Sequence, residues 1–138
     1  MPGALEETFP DSAKYVLEAA AYAITDEGMS LVQYDKRRHY VETDFIDIGA
    51  LRASTDRDAY IGSDRLVKFQ FRTVPTFGAT RLIGEVIYRP AGGGRAMEQM
   101  VPPQHAGREV LLRLYRRVEQ RLEAEREKRS RKTARDGP

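Results

Sequence analysis

Residues 39–48 read HYVETDFIDI and bring a histidine, a threonine and three carboxylates within ten positions. Two acids two residues apart, Glu42 and Asp44, with His39 close by, are ingredients of general acid–base chemistry. His39 with Asp35, Asp44 or Asp47 would be the ingredients of a metal site, but none of these sets has a specific ligand spacing. Acid–base work needs a desolvated pocket that shifts a pKa. Strand alternation puts Val41, Thr43 and Phe45 on one face and Glu42 and Asp44 on the other. Neighbouring strands offer Lys68 and Arg72, then Arg81, Glu85 and Arg89, to that second face. Opposite charges across strands stabilise a sheet by about 0.2–1 kcal/mol per pair. The pattern therefore predicts a solvated, charge-laced sheet face. His39 follows Lys36, Arg37 and Arg38, whose charges disfavour its protonation. Ile46 and Ile48 break the alternation, which predicts a bulge or a strand end near Phe45.

Other reactive patterns are weaker. The stretch AGGGR lacks the Gly-Lys-Ser/Thr ending and the helix start of a phosphate-binding loop. The serine in YIGSDR has no Gly-x-Ser-x-Gly elbow around it. His105 falls in the first turn of a helix after Pro102 and Pro103, where the helix dipole favours the neutral imidazole. The chain has no cysteine, so disulfides, thiolate metal sites and cysteine nucleophiles are excluded. These readings predict a protein that is not an enzyme and has no cofactor or metal.

The elements that position these residues follow from periodicity. Ala13, Val16, Leu17, Ala20 and Ile24 form an apolar stripe that predicts a helix over 12–27, with Asp11 or Ser12 as cap and Gly28 as the C-terminal stop. Residues 29–35 and 40–48 read as strands around a basic turn. A polar segment of sixteen residues, GALRASTDRDAYIGSD, follows and is long for a hairpin, where about 2–5 residues are usual. Its Arg52, Asp56, Arg57 and Tyr60 are candidate partner contacts. In 65–74, Val67, Phe69 and Phe71 alternate with Lys68, Gln70 and Arg72. In 80–89, Leu82, Val86 and Tyr88 alternate with Arg81, Glu85 and Arg89. Residues 95–101 would add an edge strand. A second helix over 104–129 carries Leu111, Leu114, Tyr115, Val118 and Leu122 as its stripe. The fold expected is one α+β domain over 12–122, an antiparallel meander of four or five strands with both helices on one face. Residues 1–11 would be an extension and 123–138 a charged tail that buries nothing.

Charge has a clear location. The chain of 138 residues carries 23 basic and 21 acidic side chains. Six of the bases and four of the acids lie from Glu123 onward, so the first 122 residues carry 17 of each. A neutral body argues against a nucleic-acid-binding surface on the folded domain. The tail's Arg126, Lys128, Arg129, Arg131 and Lys132 are the remaining candidate partner contacts. No run approaches the about 20 apolar residues of a membrane-spanning helix. MPGALEETF has neither the basic nor the apolar region of a signal peptide, which predicts a cytoplasmic protein unless a signal has been removed.

The order helix, Gly28, strand, Asp35, turn, then Val41, Thr43 and Phe45 resembles small bacterial envelope lipoproteins. In these, helix–G–strand–D–turn–G–x–[ILV]–x–T–x–[WF] opens a helix-and-sheet domain. The repeated domains of the C lipoprotein of the outer-membrane β-barrel assembly machinery share that layout. Here Phe45 stands where tryptophan is common, and His39–Tyr40 take the place of the turn glycine. The resemblance covers 12–45 and extends loosely to 122. It implies a non-catalytic scaffold or accessory subunit of an envelope-associated assembly, a protein partner, and membrane association through a lipid anchor outside this sequence. Two other readings are kept: a small-molecule or lipid-binding domain of the helix-grip kind, and a nucleic-acid-associated protein acting through its basic tail.

Overall fold

A computed structural model describes residues 4–47, 66–88, 99–101 and 106–136. The chain order is β1 (Leu5–Phe9), α1 (Ala13–Asp26), β2 (Leu31–Asp35), β3 (Tyr40–Thr43), β4 (Ile46–Asp47), β5 (Leu66–Thr76), β6 (Ala79–Tyr88), β7 (Gln99–Met100) and α2 (Ala106–Asp136). All strand pairings are antiparallel. The main path runs β1-β6-β5-β3-β2, with β4 on β5 and β7 on β6. Both helices cover one face, so the α+β class and antiparallel sheet are as expected.

Alternation builds the inner face. Val67, Phe69 and Phe71 of β5, Leu82 and Val86 of β6, and Val41 of β3 are all buried. They meet Val16, Leu17, Ala20 and Ile24 of α1 and Leu111, Leu114, Tyr115, Val118 and Leu122 of α2 in one core. α1 ends in a Schellman motif. Met29 N–H bonds the Ile24 carbonyl at 3.2 Å and Gly28 N–H that of Thr25 at 3.0 Å. Gly28 takes φ +83°, a left-handed geometry that costs glycine nothing.

The sheet has a strand that alternation missed. Residues 5–9 lie in the stretch expected to be an extension, yet they pair with β6 from Leu5–Gly84 to Phe9–Thr80. Leu5, Glu7 and Phe9 share the inner side, and the acid between two apolar residues hides the pattern. Burial, helped by the nearby Glu119 carboxylate, raises the Glu7 pKa above its ordinary value.

Where α2 crosses the sheet, Gly84 leaves a gap. A Cβ there would lie 2.9 Å from Phe71 Cε1, 3.0 Å from Leu111 Cδ1 and 3.0 Å from Tyr115 Cε2. Tyr115 packs edge-to-face on Phe71, with ring centroids 5.7 Å apart. Its hydroxyl lies 2.6 Å from the Leu5 carbonyl and 2.8 Å from the Leu82 carbonyl. One phenolic proton thus links β1, β6 and α2. Burial, with nearby Glu7, pushes the Tyr115 pKa far above the usual phenol value.

Two carboxylates tie α1 to α2. Glu27, at the C-terminal end of α1, takes Arg113 Nε at 2.8 Å and Arg117 Nε at 2.6 Å. Burial opposes the charge on Glu27, but hydrogen bonds from Arg117 and Arg113 outweigh it and lower the pKa. Before α1, the buried Asp11 carboxylate lies 3.3 Å from Arg126 Nε and 3.3 Å from Arg129 Nη2. The order of these contacts makes the helices antiparallel. Of the two cap candidates, Ser12 takes the position, without a side-chain hydrogen bond. One expectation is corrected: the segment after Leu122 is not idle, because the helix continues to Asp136, and Arg126 and Arg129 offset a charge buried in the body.

Replacing Gly84 by alanine is expected to destabilise the domain by about 1–3 kcal/mol through overpacking, although alanine suits a strand no worse than glycine. Urea melts check this. A loss below about 0.5 kcal/mol would mean the rings move aside freely.

Candidate functional site

The cluster that opens the sequence question is split by the fold. Asp35 Oδ1 accepts from Arg37 N–H at 3.0 Å and Arg38 N–H at 3.1 Å, so the acid builds the β2–β3 turn. His39 closes that turn with φ +57°. Thr43 sits where β3 stops: its hydroxyl oxygen accepts Phe69 N–H at 2.9 Å and donates to the Asp44 carbonyl at 2.9 Å. A side chain thereby replaces a missing ladder bond on β5. Phe45 then lies against the other face, with Lys68 Nζ 5.2 Å from its ring centre. The alternation break falls where the sequence put it. Gly28 ends α1 and Asp35 builds the β2–β3 turn, Val41 is buried in the core, and Thr43 and Phe45 contact β5.

Glu42 forms the cross-strand pair expected of it, but not in the expected surroundings. It accepts Lys68 Nζ at 2.7 Å and Gln70 Nε2 at 2.9 Å. The Lys68 and Glu42 side chains are 9% and 13% exposed, so this part of the face is not solvated. Burial opposes ionisation of Glu42, but hydrogen bonds from Lys68, Gln70 and Tyr40 outweigh it and lower the pKa. The result is a carboxylate held in an ion pair, the opposite of the raised pKa that a general acid at neutral pH requires. A pit of about 70 Å³ beside it is lined by Tyr40, Gln70, Arg72, Ile83 and Glu85. No group of three metal-ligating side chains occurs among the described residues.

Of the candidate partner contacts, Arg52, Asp56, Arg57 and Tyr60 lie outside the described residues. Arg126 and Arg129 are turned to Asp11, and the Arg129 guanidinium also lies 4.8 Å from the Tyr15 ring centre. Arg131 meets Glu127 at 3.5 Å on the surface. Lys128 and Lys132 are exposed.

The structure adds a feature that the sequence reading did not single out. β2 ends the main strand path, and among the described residues it pairs with β3 alone. Val32 on this edge is 58% exposed, and Tyr34 is exposed beside it. A groove of about 300 Å³ runs between the edge and α1, lined by Glu18, Ala21, Tyr22 and Thr25 of α1, Leu31 and Tyr34 of β2, and Lys36. Arg121 stacks on the outer side of this wall, 3.6 Å from the Tyr22 ring centre, and fixes the ring by a cation–π contact. The β1 edge is different: it presents Glu6 and Thr8 and ends at Pro10, the usual protection of an exposed strand. A signal for the groove was present in α1. Tyr15, Glu18, Tyr22 and Thr25 follow helical spacing as a second stripe beside the core stripe. What the sequence could not supply is which strand stands at the edge beside it.

No family model matches the chain, and no curated protein matches it. Among solved structures it is similar to the crystal structure of TTHA0849 from Thermus thermophilus, at 10% identity and a TM-score of 0.46, over 88% of this chain and 96% of that one.

Glu42→Gln is expected to cost about 1–3 kcal/mol near neutral pH, because it weakens a buried charged pair. The pKa of Glu42 is lower folded than unfolded. Its contribution is therefore present above the ordinary glutamate value of about 4.3 and is lost as pH falls through the depressed folded value. Urea melts of both proteins from pH 7 downward should converge in acid. A gap that does not change with pH would contradict the ion-pair account.

Proposed function

We propose that this chain is a non-enzymatic protein-interaction module, an accessory or scaffold subunit of a larger assembly. The observation that carries the reading is the outer edge of β2, which among the described residues pairs with β3 alone, with Val32 and Tyr34 exposed beside the α1 groove. An exposed, apolar strand edge is a template for another chain, and natural proteins normally blunt such edges. A groove between an edge strand and a helix suits strand addition: main-chain bonds to the edge give affinity, and alternate side chains enter the groove. A bulge at Leu31–Gln33 confines regular pairing to the later part of β2.

Gly28 and Asp35 support the same reading, since they fix the two ends of the strand that presents the edge. The packing of α2 supports it over a helix-grip ligand site. At the crossing of α2 and β6 among the described residues, Phe71, Leu111 and Tyr115 close tightly over Gly84. Nucleic-acid binding through the tail is weakened because Arg126 and Arg129 are turned to Asp11. The envelope setting rests on the resemblance of the α1–β2–β3 motif.

A photo-crosslinking residue at position 32 or 22, in the cell that makes the protein, should give one discrete protein adduct. The same residue at Thr8 on the β1 edge should give none. Val32→Lys with Tyr34→Lys should abolish the adduct from position 22 and leave the melting temperature within a few degrees, both sites being exposed. Equal adducts from both edges, or no adduct from positions 32 and 22, would refute the reading.

A further inference from the structure

The β5–β6 hairpin and the distal part of α2 meet at one end of the molecule. Thr80, just after the hairpin turn, donates its hydroxyl to the Asp11 carbonyl at 2.7 Å. The carboxylate of the same Asp11 holds Arg126 and Arg129. Three positions before Thr80, at the tip, stands Phe77, whose side chain is fully exposed at 108% of its reference area. α2 runs on from Arg129 to Asp136, about 10 Å further at 1.5 Å per residue. Lys128, Arg131 and Lys132 lie on one helical face there and are exposed. The pair of Arg131 with Glu127 has both side chains 70% exposed, so it does little to hold the arginine back.

We propose that this end of the molecule docks on an anionic bilayer surface. Phe77 enters the boundary between headgroups and acyl chains, while Lys128, Arg131 and Lys132 face the anionic headgroups. Two features favour a lipid surface over a protein. Phe77 is flanked by the exposed Thr76 and Gly78 and stands apart from the core cluster. A rigid protein surface must offer such a lone ring a matching pocket, whereas a fluid interface receives it anywhere. The cations complement the negative surface, and each basic residue near such a surface raises binding about fivefold. One apolar anchor alone gives marginal attachment; an apolar anchor with a basic patch gives a usable one. Asp11 contributes by fixing the distal helix beside the hairpin. This contact uses no residue of the β2 edge, so it stands independently of the proposed protein docking.

The test uses the full chain with vesicles of phosphatidylcholine, with and without phosphatidylglycerol. The sequence has no tryptophan, so Phe77→Trp makes a single fluorescent reporter. Anionic vesicles should sediment the protein and shift the tryptophan emission to the blue. Neutral vesicles should do neither, and raising salt from about 50 to about 500 mM should release the protein. Lys128→Glu with Lys132→Glu should lower vesicle binding more than about tenfold. Phe77→Ser should lower it several-fold without changing the melting temperature, and Val32→Lys should leave it unchanged. Absence of binding, equal binding to neutral vesicles, or binding without a blue shift would overturn the proposal.

Discussion

The close seating of α2 on β6 is the constraint on which the other contacts depend. It exists because Gly84 has no side chain. Phe71, Leu111 and Tyr115 fill the space that a Cβ would take, and the Tyr115 hydroxyl then reaches carbonyls on two strands. With α2 held at this height, its arginines fall in line with the two ends of α1. Glu27 meets Arg113 and Arg117, and Asp11 meets Arg126 and Arg129. α1 cannot slide along α2 without separating buried charges, which costs several kcal/mol when a partner is lost. Its tyrosine stripe is thereby held over the β2 edge, and the groove is a consequence of that placement.

Much of the sheet was legible because its central strands alternate cleanly. Val67, Phe69 and Phe71 face the core, and so do Leu82 and Val86, as period two requires. The helical stripes of α1 and α2 also lie where their spacing puts them. Alternation failed where a polar residue faces inward. Glu7 sits on the inner side of β1 and hides a strand in what periodicity alone makes an extension. Alternation also says nothing about depth. Glu42 and Lys68 occupy the outer face, but their pairing, with Phe45 against Lys68, takes them out of water. The role of Thr43 was beyond reach for a related reason: a side chain standing in for a ladder bond leaves no periodic trace.

The tail shows a different limit. Its charge excess was plain from composition, and the end of the apolar stripe at Leu122 suggested a segment free of the fold. Apolar burial alone points that way, but charge does not. Asp11 is a buried carboxylate from the other end of the chain, and only topology brings it to Arg126 and Arg129. The bases then divide into two sets. Arg126 and Arg129 serve the fold, while Lys128, Arg131 and Lys132 remain on the surface at the end that carries Phe77. The proposed protein docking at the β2 edge and the proposed lipid docking at this end use separate surfaces.

Native-state hydrogen exchange of the dilute, isolated chain tests the central claim most directly, that a rigid two-helix platform presents an open strand edge. Amides of β5 and β6 around Phe71 and Gly84, and of α2 around Tyr115, should exchange only on global unfolding. Amides of β2 from Gln33 to Asp35 should exchange orders of magnitude faster, through local opening that leaves the α1–α2 layer protected. Protection of β2 equal to that of β5 would show that its edge is already covered. Opening of α1 before β2 would show that the platform is not held as Gly84 and the arginine clamps require.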